Sequence, residues 1–185
     1  MKLKEICNFR EGYVNPPQGI ADYFDGPVKW VRANDVNFAP IYSTSRTLSL
    51  QGFKSAGKSA ILFKPDTIVV TKSGTIGRSA IIKDFMCGNR AIINVELKNN
   101  DKIDTKFVYY FLSTNQPYLQ SLAVGTTQLN LYIFNLQEVE IPFPEKQTRQ
   151  HIVNTISFLL LKSILLFLLV LFPPSLIQIT RQKFF

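Results

Sequence analysis

The residues best placed to do chemistry form one short run, Lys72-Ser73-Gly74-Thr75-Ile76-Gly77-Arg78. Its amides, hydroxyls and cations could grip phosphate. Equally, the run could be a solvated hairpin tip, because two glycines between two strands mark a turn that needs left-handed backbone. It is not a nucleotide loop. A dinucleotide fingerprint needs GxGxxG between strand and helix, and a Walker loop needs GxxxxGK followed by Ser or Thr.

Other chemistries lack their parts. A loop that holds a flipped adenine for methylation takes Asn-Pro-Pro followed by an aromatic ring; Asn15-Pro16-Pro17 is followed by Gln18, which cannot stack on a base. No Gly-rich methyl-donor loop follows a first strand. No nuclease constellation of carboxylates and lysines stands out. His151 is the single histidine, so Ser/His or Cys/His catalysis has one candidate base, on a predicted helix. Cys7 and Cys87 are isolated and form no zinc pattern. The expectation is a non-catalytic chain with no metal and no cofactor, its two thiols reduced in the cytoplasm. Met1–Arg10 carries charges and no apolar run, so no signal peptide opens the sequence.

These residues need positioning elements. At 185 residues with 46% hydrophobic content, the chain supports one ordinary core, and 15 Phe and 7 Tyr against 1 Trp favour a sheet-rich fold. Leu3–Phe9 reads as a short strand or helical turn, and Glu11–Asp25 as an irregular loop. Val28–Val31 alternates like a strand and runs into the polar loop Arg32–Asp35. Thr67–Thr71 is β-branched and follows the Pro65-Asp66 turn; with Arg78–Lys83 it predicts a hairpin. Ala91–Leu97 is a further strand. Thr105–Leu122 has helical spacing with a break at Pro117. Leu136–Ile141 is predicted as a strand closed by Pro142 and Pro144, and a helix starts at Glu145. Trp30 and Phe143 are expected in the core.

Charge is unevenly placed. The formal net charge is +8, yet all 13 acidic residues precede position 151 together with 18 of the 21 basic ones. The basic first part suits a polyanion such as DNA and also suits an ordinary solvated surface. The 17 residues Ile156–Phe172 hold Lys162 as their one charge, before Pro173-Pro174. Such a run sits at the lower edge of the transmembrane window of about 17–25 residues. Three accounts stay open: a membrane anchor, a greasy helix packed on a partner, or the translated remnant of a disrupted reading frame.

The pieces fall in a familiar order. Trp30-Val31-Arg32 followed by Asn34-Asp35-Val36 resembles the Trp-(Ile/Val)-Arg-x-x-Asp-(Ile/Val) segment of type I restriction-modification specificity (S) subunits. Lys64-Pro65-Asp66-Thr67-Ile68-Val69-Val70 with Ser73-Gly74-Thr75-Ile76-Gly77 resembles their hairpin ending in Gly-Thr-Ile-Gly. Gly125-Thr126-Thr127-Gln128, then Ile141-Pro142-Phe143-Pro144, Gln147 and Ile152, is similar to a third block of the same family. The set spans roughly residues 1–156.

The resemblance implies an α+β fold: a mixed, mostly antiparallel twisted sheet with helices, followed by a C-terminal helix. Residues 1–145 are then a DNA target-recognition domain, 146–172 a helix that turns apolar after 156 and is atypical of the family, and 173–185 a tail. It implies double-stranded DNA as ligand, with methyltransferase (M) and restriction (R) subunits as partners and a second recognition domain or a self-dimer completing the site. The rival readings are a membrane-attached protein anchored by 156–172 and an adenine methyltransferase fragment, which would bind S-adenosylmethionine. Forked donors and amides read base edges, and cations and hydroxyls hold phosphates. On that chemistry the expected DNA-binding residues in loops are Arg32, Asn34, Lys72, Ser73, Thr75, Arg78, Asn89, Arg90, Thr126, Thr127 and Gln128. Solvation or turn capping is the alternative for each.

Overall fold

The computed structural model describes residues 1–171. Met1–Pro144 forms one compact unit, and a second begins at Glu145.

The first unit is built on two sheets. A helical turn, α1 (Leu3–Ile6), leads into β1 (Cys7–Glu11). After an irregular loop come β2 (Phe24–Val31), β3 (Thr47–Leu48) and the short helix α2 (Leu50–Lys54). Then follow β4 (Ile68–Thr71), β5 (Ser79–Ile81), β6 (Cys87–Gly88) and β7 (Ile92–Leu97). The larger sheet has order β1-β7-β4-β5, antiparallel throughout; the smaller has order β3-β2-β6, with β2 antiparallel to β3 and parallel to β6. Helices α3 (Lys102–Thr114), α4 (Gln116–Ser121) and α5 (Ile133–Gln137) complete the unit.

All four residues of β4 are buried, so this strand is covered on both faces and reads as a continuous β-branched run rather than an alternating one. Val69, Ala80 and Ile92 belong to a core cluster with Val31, Ile41 and Met86 from the chain around the smaller sheet. The residues that pair across β5, β4 and β7 as Ser79, Val70 and Ile93 share the opposite face. There Ser79 Oγ meets Ser113 Oγ of α3 at 2.8 Å. A second cluster joins Val14, Phe24, Trp30, Leu48 and Cys87. Both cysteine thiols are buried and free, and burial pushes each up to about 12, which makes them inert packing groups.

The hairpin expected from the sequence forms as β4–β5. The helical stretch also breaks, but at Asn115, with Pro117 in the first turn of α4 where its missing N–H costs nothing. One expectation is corrected. Leu136–Ile141 is not a strand: α5 occupies Ile133–Gln137, and a single antiparallel bridge, Lys2↔Glu140, follows it. Val139 and Ile141 are nonetheless both buried, as an alternating strand would have them. What pairs with this stretch is the chain start: Leu3 N–H donates to Val139 O (3.0 Å), and Ile141 N–H donates to Met1 O (2.9 Å). The two-residue strand β6 has no counterpart among the expected elements. Trp30 is buried as expected, and Phe143 is half-buried, edge-on to Phe107 at 5.8 Å.

Within the second unit, α6 (Lys146–Leu171) is one continuous helix. Every large apolar side chain from Phe158 to Phe167 is solvent-exposed, and Lys162 Nζ lies 4.6 Å from the Phe158 ring centroid. The expected tail, 173–185, lies outside the described residues.

Candidate nucleic-acid interface

The strand directions bring distant segments to one end of the two sheets. β1, β2, β4 and β6 finish there, and β5 and β7 start there. Backbone hydrogen bonds tie the segments together. Lys72 N–H donates to Ala91 O (2.7 Å), Asn89 N–H to Val31 O (3.0 Å), and Leu131 N–H to Lys72 O (2.8 Å). From the β1 side, Gly12 N–H donates to Ile92 O (2.8 Å) and Val14 N–H to Gly88 O (3.1 Å).

Arg32 leaves β2 at this end with its backbone fixed. Its N–H donates to Asp35 Oδ2 (2.9 Å), and the other oxygen of Asp35 accepts from the amide and hydroxyl of Ser45. The guanidinium lies 5.2 Å from the Trp30 ring centroid, donates through Nη2 to Ser45 Oγ (2.9 Å), and keeps a buried Nε without a partner. Asn34 is exposed beside it. Lys72 is ion-paired with Glu11, whose Oε2 also accepts from the Tyr13 hydroxyl (2.7 Å), and its Nζ lies 5.4 Å from the Tyr132 ring centroid. Burial first and the Arg90 charge second pull the Lys72 ammonium below the ordinary lysine value.

Two glycines make the β4–β5 turn possible. Gly74 and Gly77 have φ of +73° and +78°, backbone that L side chains avoid. Inside the turn, Thr71 Oγ1 accepts from Arg78 N–H (3.0 Å), and Gln116 Nε2 from α4 donates to Ile76 O (2.9 Å). Last comes a small hairpin closed by the Val124↔Asn130 bridge, with Thr126, Thr127 and Gln128 exposed at its tip. Among the described residues no group of His, Cys, Asp or Glu side chains could hold a metal ion.

The order of these segments matches a known architecture. The family model described as type I restriction modification DNA specificity domain covers residues 1–165. The chain belongs to that family.

It is 29% identical over 162 residues to the type I restriction enzyme MjaIX specificity subunit of Methanocaldococcus jannaschii, an alignment covering 85% of this chain and 36% of that protein. The S subunit of a type I restriction-modification system from M. genitalium superposes with TM-score 0.58 at 25% identity, covering 85% of this chain and 37% of the other. A further solved chain from a type I restriction-modification system gives TM-score 0.68 at 15% identity, over 90% of this chain and 39% of that one, a likeness of fold. The chain thus spans little more than a third of the length of these specificity subunits.

Within this specificity-domain fold, Arg32, Asn34, Lys72, Ser73, Asn89 and Arg90 share the sheet end, and the Thr126–Gln128 tip rises from the segment hydrogen-bonded to Lys72. One of the expected residues differs in character from the rest. The Thr75 hydroxyl is buried and unpartnered, so it turns into the fold. Arg78, immediately before β5, is half-buried, as are Arg32, Lys72, Ser73 and Asn89. Gln18, at the site where an aromatic would stack on a base, instead caps its own loop: Nε2 donates to Pro16 O (3.1 Å) and Oε1 accepts from Arg46 (2.7 Å). Sequence reasoning missed Glu11, Tyr132 and Phe134. Nothing in a strand end or a helix start marks such residues before the chain is folded.

Proposed function

We propose that residues 1–145 act as a DNA target-recognition domain and contribute sequence reading, not catalysis, to a type I restriction-modification complex. The observation that carries this is the gathering of forked donors, amides and cations from four separate segments at one end of the sheets, with the Arg32 backbone fixed by Asp35. Rigid placement matters because base edges are discriminated by bidentate geometry. In this reading, M subunits bring S-adenosylmethionine and methylate the site, R subunits restrict unmodified DNA, and a second recognition domain or a second copy about a twofold axis reads the other part of a split target. The cytoplasm is the corresponding compartment.

The test is gel shift of the chain with M subunits against a random duplex pool at physiological salt. Enrichment of one sequence class is expected, and binding no tighter than to random duplex removes the reading. Arg32→Ala should cost about 1–3 kcal/mol and relax discrimination at one position, whereas Arg90→Ala should weaken all sequences alike and reduce the salt slope by about 1.

A second reading rests on α6, a helix long and apolar enough to cross a membrane. It requires the chain to stay in the membrane pellet through a high-salt wash and to be released by detergent. Recovery in the washed supernatant rules it out.

A further inference from the structure

Tyr132 and Phe134 open α5 with their rings nearly parallel, 9° between planes and 5.6 Å between centroids. Phe134 is 61% exposed and Tyr132 38%. An exposed apolar pair on a folded surface calls for an occupant. The platform is stiff: the neighbouring Leu131 is fully buried and hydrogen-bonded to Lys72, and Asn135 Nδ2 donates to Leu122 O at 2.8 Å.

We infer that Phe134, backed by Tyr132, is a wedge that inserts at a base step of the bound duplex and unstacks it. This rests on the reading of the sheet end as a DNA surface. The surroundings favour nucleic acid over a protein partner. Lys72 Nζ, paired with Glu11, stands 5.4 Å from the Tyr132 ring, Arg90 is exposed at the same sheet end, and the hydroxyl and amide tip of Thr126–Gln128 adjoins the segment hydrogen-bonded to Lys72. Protein interface cores are depleted of lysine, whereas cations beside a wedge reach the phosphates flanking an opened step. A flat ring gains stacking with any base. The cost of opening falls on the step, so the occupied step is expected to be pyrimidine–purine, which unstacks most easily.

The experiment uses the full chain with M subunits and a duplex selected from a random pool, with 2-aminopurine walked through the selected site. Wild type should raise the fluorescence at one step. Phe134→Ala should abolish that rise and weaken binding about tenfold with an unchanged salt slope. Phe134→Trp should restore both. Because Phe134 is exposed, circular dichroism should show an intact fold in each variant. If Phe134→Ala keeps both the affinity and the fluorescence rise, the wedge is overturned while the DNA reading stands. The wedge is overturned equally if the variant binds duplex normally but no longer assembles with M subunits, since the platform is then a protein contact. If wild type selects no sequence at all, both fall.

Discussion

Trp30→Ala should lower the unfolding free energy by about 3–5 kcal/mol, a large share of the roughly 5–15 kcal/mol that holds most domains folded. Trp30 is 2% exposed and sits in a cluster with Val14, Phe24, Leu48 and Cys87, its ring 6.2 Å from that of Phe24. Its indole N–H donates to Val14 O at 2.8 Å, which pins the irregular loop after β1 onto the smaller sheet. Truncation leaves a cavity, orphans a buried carbonyl and removes the surface against which Arg32 rests. The chain has a single Trp, so indole fluorescence vanishes with the mutation and urea unfolding must be followed by circular dichroism. Trp30→Phe separates the contributions, since it keeps most of the packing and loses the hydrogen bond. A midpoint for Trp30→Ala within error of wild type would contradict this account.

Gly12→Ala should also be strongly damaging. A Cβ at this position would lie 2.4 Å from Asn89 O and 2.5 Å from the Gly88 carbonyl carbon and oxygen. These are backbone atoms, so no rotamer change relieves the clash. The two chain segments must part, at a cost of about 1–3 kcal/mol or more. Parting them strains the Gly12–Ile92 and Val14–Gly88 hydrogen bonds and displaces Asn89, so loss of DNA affinity should accompany loss of stability. Gly19→Ala is the control: nothing lies within 4 Å of its Cβ, and the change should stay within about 0.5 kcal/mol. Equal midpoints for the two variants would show that the close approach is not fixed.

What the sequence reveals follows from range. The β4–β5 hairpin is a local object, with its β-branched run, turn glycines and two short strands lying within fourteen residues, Ile68 to Ile81. It is legible for that reason. β6 is not, because a two-residue strand has no period; it exists only through its parallel pairing with Trp30 and Val31. The segment after Tyr132 misleads because Val139 and Ile141 alternate while Leu136 and Val139 are also three apart, and the first turn of that run is helical. The candidate DNA contacts are readable as separate loops. Their convergence is not, since it depends on β7 pairing with both β1 and β4. Nor can spacing indicate that the Thr75 hydroxyl turns inward while Phe134 turns out.

The N-terminal latch has a consequence for biosynthesis. β1 finds its partner in β7, Cys7 opposite Leu97, and Met1–Leu3 find theirs in Val139–Ile141, where Glu138 also receives Lys2 and Lys4. Residues 1–11 are therefore synthesised well before the segments that satisfy them. Until synthesis has passed Ile141, one edge of the larger sheet lacks its closing strand or that strand lacks its anchor, and an open β edge invites pairing with other chains. Specificity domains of this design should depend on synthesis rate and on holding chaperones.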